Sequence, residues 1–405
     1  PPLHTTHSQM TRHRQKTGQQ GTADAPRRKA AKAIAITAFY AACILLGLFI
    51  GRHVGDTPGG FAALMLHLII GIGLLMAAII VQIIIHECGH LVAGLVAGWR
   101  LVALRIFGLM LVRRGRQFVL ASSHIPGTGG QCLMSPPDRP AAQCRLTLYN
   151  AGGFAANLIT AAASLAVLLL AGRQMGFAGQ TFTLSMAVAG AFLFIQNGVP
   201  LVLAGIPNDA MNIRYLRRDP AEADALLAMM RANAMMQDGI RLKDMPDSLF
   251  AGAQADGRQR GPISSSLDIM LLCRAIDMHD FTLAGRLADD ISSRNDGTLP
   301  AIYDGEVGRE RLFLALIARR PHDEIERLYD KKLRSYVKTM SSWQLSSVRL
   351  LYALALLHDG DTEAAHRLRT RFDKMAAGYF SPADAESERE LVACIDAVAA
   401  TPSAE

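Results

Sequence analysis

No CxxC pair occurs among the six cysteines, which are scattered from Cys43 to Cys394. That excludes a disulfide framework and a cysteine-built zinc site, and leaves free thiols in a reducing compartment or in lipid. No basic stripe interleaved with aromatics accompanies the net charge of +7, so nucleic acid is not a partner. Carboxylates are scarcest where the chain is most apolar: between Glu87 and Arg214 only Asp138 and Asp209 occur. The chain begins at Pro1 and not at Met, as expected of a sequence trimmed at its start.

What is present is apolar sequence, half of all residues, concentrated before about residue 206. The bilayer is therefore the first partner to expect. Residues 1–32 are polar, without apolar periodicity, and are expected to be a disordered tail. Four membrane spans are expected, at about 33–50, 61–97, 146–170 and 182–206. The first has no small-residue cleavage site after it and is followed by more spans, which marks a retained anchor. The second is too long for one crossing, so it must tilt, bend near Gly71 or Gly73, or project from the membrane. Residues 99–135 alternate weakly among glycines and arginines and predict short strands at the membrane surface.

Basic residues flank the spans unevenly. Arg27, Arg28, Lys29 and Lys32 precede the first, seven arginines lie between 99 and 145, and Arg214, Arg217 and Arg218 follow the fourth. The other side has Arg52 and Arg173. The positive-inside rule then puts both termini in the cytoplasm, in a multi-pass protein of the inner membrane.

The membrane domain is expected over 33–212 and a cytoplasmic α-helical domain over 213–405. Within the latter, residues 350–372 read as two antiparallel helices joined at Asp359-Gly360-Asp361. This has a tetratricopeptide-like look without a strict 34-residue period. The expected fold is thus an α-helical multi-pass membrane protein with a small β region and a C-terminal helical domain.

His86-Glu87-Cys88-Gly89-His90 is an HExxH motif within helical sequence. Histidines four apart sit one turn above each other and reach one zinc ion, while Glu87 reaches a water there as catalytic base. Two histidines and a glutamate in an apolar helix are costly unless they serve something. A third ligand is needed. No glutamate follows at a thermolysin-like distance, and a metzincin's third His is absent, with Ala93 where its Gly would stand. The candidates are Asp209, Asp138 and His124. Asp209 falls at the cytoplasmic end of the fourth span, on the side of His86 and His90; Asp138 lies in a Pro-rich loop. His67 reads as a packed or interfacial histidine, and Cys88 faces away from the pair.

Three motifs in order give the chain a specific likeness over residues 61–212. They are HECGH at 86–90, Gly153-Phe154-Ala155-Ala156-Asn157, and Asn197-Gly198-Val199-Pro200 with Pro207-Asn208-Asp209. The chain resembles the site-2 protease family of intramembrane zinc metalloproteases, peptidase family M50, whose motifs are HExxH, GxxxN and NxxPxxxxDG. The resemblance implies that His86, His90 and Asp209 bind zinc, that Glu87 is the general base, and that Asn157, with Gly153 and Asn197, positions substrate. Two departures stand out. Asp209 comes twelve residues after Asn197, where the family pattern has eight, an excess close to one helical turn; and Ala210 replaces a glycine.

The implied activity is hydrolysis of membrane-embedded proteins or peptides, whose helices must unwind locally. Region 99–135 is expected to hold the strand by edge pairing, with Gly127, Gly129 and Gly130 allowing close approach. The rivals are a catalytically silent relative, against which the intact ligand set argues, and a metal transporter, for which internal repeats are missing. The C-terminal helices are expected to regulate access or recruit a regulatory protein.

Overall fold

The apolar run beginning at residue 60 folds as one helix, α1 (Gly60–Val96), of 37 residues. At 1.5 Å per residue it is roughly 55 Å long, against about 30 Å of hydrocarbon. It runs through Gly71 and Gly73 without a break. The computed structural model describes residues 60–115, 117–122, 129–203, 206–253, 261–294 and 301–401, with five single positions between 37 and 51. The expected tail at 1–32, almost all of the expected first span, His124 and Gly127 lie outside the described residues.

Three helices among the described residues are long and apolar enough to cross a membrane: α1, α2 (Leu146–Ala171) and α3 (Phe177–Gly198). Their outward side chains are apolar, Leu170 being 85% exposed, a surface suited to lipid. The helix expected at 182–206 ends at Gly198 instead. Pro200 disfavours helical backbone at the residue before it, and Val199 is extended (φ −96°, ψ 126°). The chain then makes two-residue strands β5 (Val202–Leu203) and β6 (Ile206–Pro207) before α4 (Asp209–Arg218). The extra residues between Asn197 and Asp209 are therefore a short hairpin and not the additional helical turn expected from their number.

By internal contacts the chain divides into two units. The first comprises 1–89, 150–203 and 207–214, the second 90–149, 204–206 and 215–405. In the first unit the helices meet on small residues. A Cβ on Gly89 would lie 2.3 Å from the Gly152 carbonyl oxygen, and one on Gly190 would lie 2.9 Å from the Asn157 carbonyl oxygen, so both positions require glycine.

In the second unit the sequence 100–135 forms an antiparallel sheet in the order β3-β2-β1-β4, from β1 (Arg100–Ile106), β2 (Leu109–Arg114), β3 (Gln117–Ser122) and β4 (Gly130–Ser135). Phe107 (φ 52°) and Gly108 turn β1 into β2. One face carries Ala103, Met110 and Val112, buried with Phe380; the other exposes Leu109, Phe118 and Leu120. The C-terminal helices share a large apolar core containing Phe313, Leu350 and Phe372. The expected helix pair is present: α5 (Leu345–Ala353) runs on as a π segment to His358, and α6 (Thr362–Ala377) follows. Between them Gly360 takes φ +66°, and the Asp361 side chain caps α6 by accepting from the Ala364 N–H.

Candidate active site

His86 and His90 lie one turn apart on α1, and their ligand atoms and a carboxylate oxygen of Asp209 all fall within 4.8 Å of one another. His86 Nε2 is 3.3 Å from Asp209 Oδ2. Bonds of 2.0–2.1 Å to a tetrahedral ion set ligand atoms roughly 3.3 Å apart, so this edge already has the length zinc requires.

The outer nitrogens of both histidines are tied down. His86 Nδ1 is 2.7 Å from Asn157 Oδ1, and His90 Nδ1 is 2.8 Å from the Tyr149 carbonyl oxygen. Both oxygens only accept, so each Nδ1 carries the proton and donates. Nε2 is then the nitrogen that each ring can offer to a metal. Two imidazoles and a carboxylate are the protein donors that a catalytic zinc site can use.

The orientation of Asn157 is itself determined. It is fully buried, and its Nδ2 donates to the backbone oxygen and to Oε1 of Gln82, both at 2.8 Å. Gln82 Oε1 also accepts from Thr160 Oγ1, and Gln82 Nε2 donates to the Met186 carbonyl. A fully satisfied polar network in an apolar bundle fixes one geometry, since any slip leaves a buried donor unpaired. On the His90 side, Tyr149 donates its hydroxyl to the Cys132 carbonyl at 2.5 Å and stacks on Trp99 at 4.5 Å.

Asp209 is the first residue of α4, and the preceding Asn208 holds that helix start. Asn208 Oδ1 accepts from the Leu201 and Met211 N–H groups, and its Nδ2 donates to the Gln196 and Val199 carbonyls. One side chain thus joins the end of α3, the hairpin and the start of α4.

Of the residues singled out in the sequence, His86, His90, Asp209 and Asn157 come together, and Glu87 is buried beside its histidine neighbour in sequence. Gly153 is buried on α2, one turn before Asn157. Asn197 donates to the Leu193 carbonyl of its own helix. Asp138 is fully exposed and lies 3.7 Å from Arg231 Nη1, outside the His86 group. His67 behaves as a packed histidine, bonded to the Ala63 carbonyl and set edge-on to Phe177. Gln82 and Tyr149 lie outside the three motifs, and Gly89 and Asn208 stand within them without a role of their own assigned. A signal existed for Gln82, a polar residue in an apolar run exactly one turn before His86.

A model of peptidase family M50 matches residues 74–380. The match continues well beyond 61–212, where the three motifs lie, and takes in most of the C-terminal helices. Comparison with curated proteins and with solved structures gives no significant match. With an HExxH helix among three membrane-length helices, and a family match over well more than half its length, this chain belongs to peptidase family M50, the intramembrane metalloproteases.

Proposed function

We propose that the protein is a zinc endopeptidase that hydrolyses peptide bonds of membrane-embedded substrates. His86, His90 and Asp209 hold the zinc, and Glu87 is the general base. The observation that carries this reading is the setting of the two histidines, each with Nδ1 against an oxygen acceptor and with ligand atoms within 4.8 Å of one another and of an Asp209 carboxylate oxygen.

Bound zinc supplies Lewis acidity toward the scissile carbonyl and toward water. Glu87 takes the proton of the attacking water and returns it to the leaving amine. Asn157 keeps the His86 ring in register through its Oδ1, and with Gly153 on the same helix and Asn197 at the end of α3 it is assigned to positioning substrate, as the family's motifs imply. A locally unwound substrate can add to an edge strand of the four-stranded sheet, where β3 and β4 are outermost.

In this reading residues 33–212 are the catalytic membrane domain of an inner-membrane protein with both termini cytoplasmic. Residues 213–405, read as paired helices, recruit a regulatory partner or meter access. The test is Glu87→Gln. Membrane-protein fragments produced by cells with the wild-type chain should be missing with the variant, whose purified form should still hold one zinc at the His86 site. An unchanged fragment pattern would refute the assignment of Glu87, and loss of the zinc would make it a ligand instead.

A further inference from the structure

We propose a second metal site, outside the membrane helices, formed by His322, Glu326 and His358 and suited to an exchangeable borderline divalent ion such as Zn2+. The ligand atoms of these three residues lie within 4.8 Å of one another. His322 and Glu326 are one turn apart on the short helix His322–Leu328, so both project from the same face. His358 comes from a different place, the last residue of the π segment Leu354–His358. π segments inside helices recur at functional sites because they displace a side chain from its regular position.

Two of the three ligands are held in place. His358 is only 6% exposed in its side chain, and its Nε2 lies 3.1 Å from Glu326 Oε1, close to the roughly 3.3 Å ligand spacing of tetrahedral zinc. The other carboxylate oxygen of Glu326 receives Arg334 Nη2 at 2.7 Å. Arg334 is itself fixed, its Nε donating to the Tyr329 carbonyl and its guanidinium lying 4.4 Å from the Tyr329 ring centre. This is the outer support that a metal-binding carboxylate usually has.

His322 is the movable member. It is exposed, and its ring is stacked on His358 with centroids 4.1 Å apart and planes 14° from parallel. Stacked rings do not aim their nitrogens at one point, so binding requires the His322 ring to turn toward Glu326, a side-chain rotation open to a surface residue. Two imidazoles and one carboxylate select a zinc-like ion over calcium or magnesium, which prefer oxygen alone. The ion would clip the helix His322–Leu328 to the end of the π segment.

The experiment is metal counting and thermal unfolding on the purified full-length chain, wild type beside His322→Ala and Glu326→Gln. Both substitutions are at exposed positions, and neither touches the His86 group. Zn2+ bound per chain should fall by one in either variant, whatever the His86 group holds. The Zn2+-dependent rise in melting temperature should shrink in both, and a Co2+ titration should lose one equivalent of its visible absorption. Mg2+ should reproduce none of this. Equal zinc counts and equal melting shifts in wild type and both variants would overturn the proposal. So would a wild-type chain that binds nothing removable by these substitutions at 1 mM Zn2+, on the order of the weakest useful affinity.

Discussion

Asn157 Oδ1 lies 2.7 Å from His86 Nδ1, joining the second motif of the membrane half to the first across 71 positions of sequence. Asn157→Ala removes the acceptor that His86 Nδ1 meets and takes one donor from each of the two Gln82 oxygens, Oε1 keeping Thr160. Affinity for zinc should fall roughly 10–100-fold, the usual effect of losing an outer partner of a metal-bound histidine. Competition with a chelator of known affinity measures it. An unchanged affinity would return Asn157 to a helix-packing role.

Asn208→Ala should loosen Asp209 without touching any ligand. It removes the cap of α4 and two further donated bonds, at a cost of roughly 2–3 kcal/mol. Asn208→Asp keeps the cap acceptor and loses the donors, so it should fall between wild type and alanine. Zinc affinity and cleavage rate should follow the order Asn, Asp, Ala. A different order would mean that Asn208 does not act through Asp209.

Gly89→Ala puts a methyl group 2.3 Å from the Gly152 carbonyl oxygen and 2.8 Å from Ala156 Cβ. Backbone cannot yield there as a flexible side chain can, so α1 and α2 must separate. A loss of roughly 1–3 kcal/mol is expected. The His86–Asn157 bond spans the same pair of helices, so zinc affinity should drop as well. A variant with wild-type stability and affinity would show that the helices have slack at this point.

Asp384 lines a cavity of about 340 Å3 among the C-terminal helices. Burial, opposed by the Ser381 hydroxyl and reinforced by Glu388, pushes its carboxyl up to about 7 from the ordinary carboxylate range. Between about pH 4 and 7 the folded chain holds a proton the unfolded chain has lost, so this contribution is present at low pH and disappears as pH rises through 7. Asp384→Asn stays neutral throughout. It should raise the melting temperature of the full chain relative to wild type at pH 8, with little difference at pH 4. Equal gains at both pH values would remove the titration of Asp384 from the explanation.

Apolar run length and HExxH spacing made the membrane helices and the histidine pair legible, because both signals are local and periodic. The strands at 100–135 were visible for the same reason, as alternation between glycines. The start of α3 and its end at Gly198 were not: hydropathy continues through Leu201–Ile206, while Pro200 has already stopped the helix. The hairpin that follows is too short for periodicity, so the twelve-residue gap to Asp209 looked like helix. Gln82, Tyr149 and Asn208 act largely through bonds to distant residues, Gln82 to Met186 104 positions away and Tyr149 to His90 59 away, and nothing in their neighbours announces those partners.

The proposed ligands lie far apart along the membrane half, with about 120 residues between His90 and Asp209. During synthesis the HExxH helix therefore leaves the ribosome well before the carboxylate that completes its metal set. At about 5–20 residues per second the interval is roughly 6–24 s. With those ligands, a nascent chain in the membrane lacks the third member of its metal set for that time.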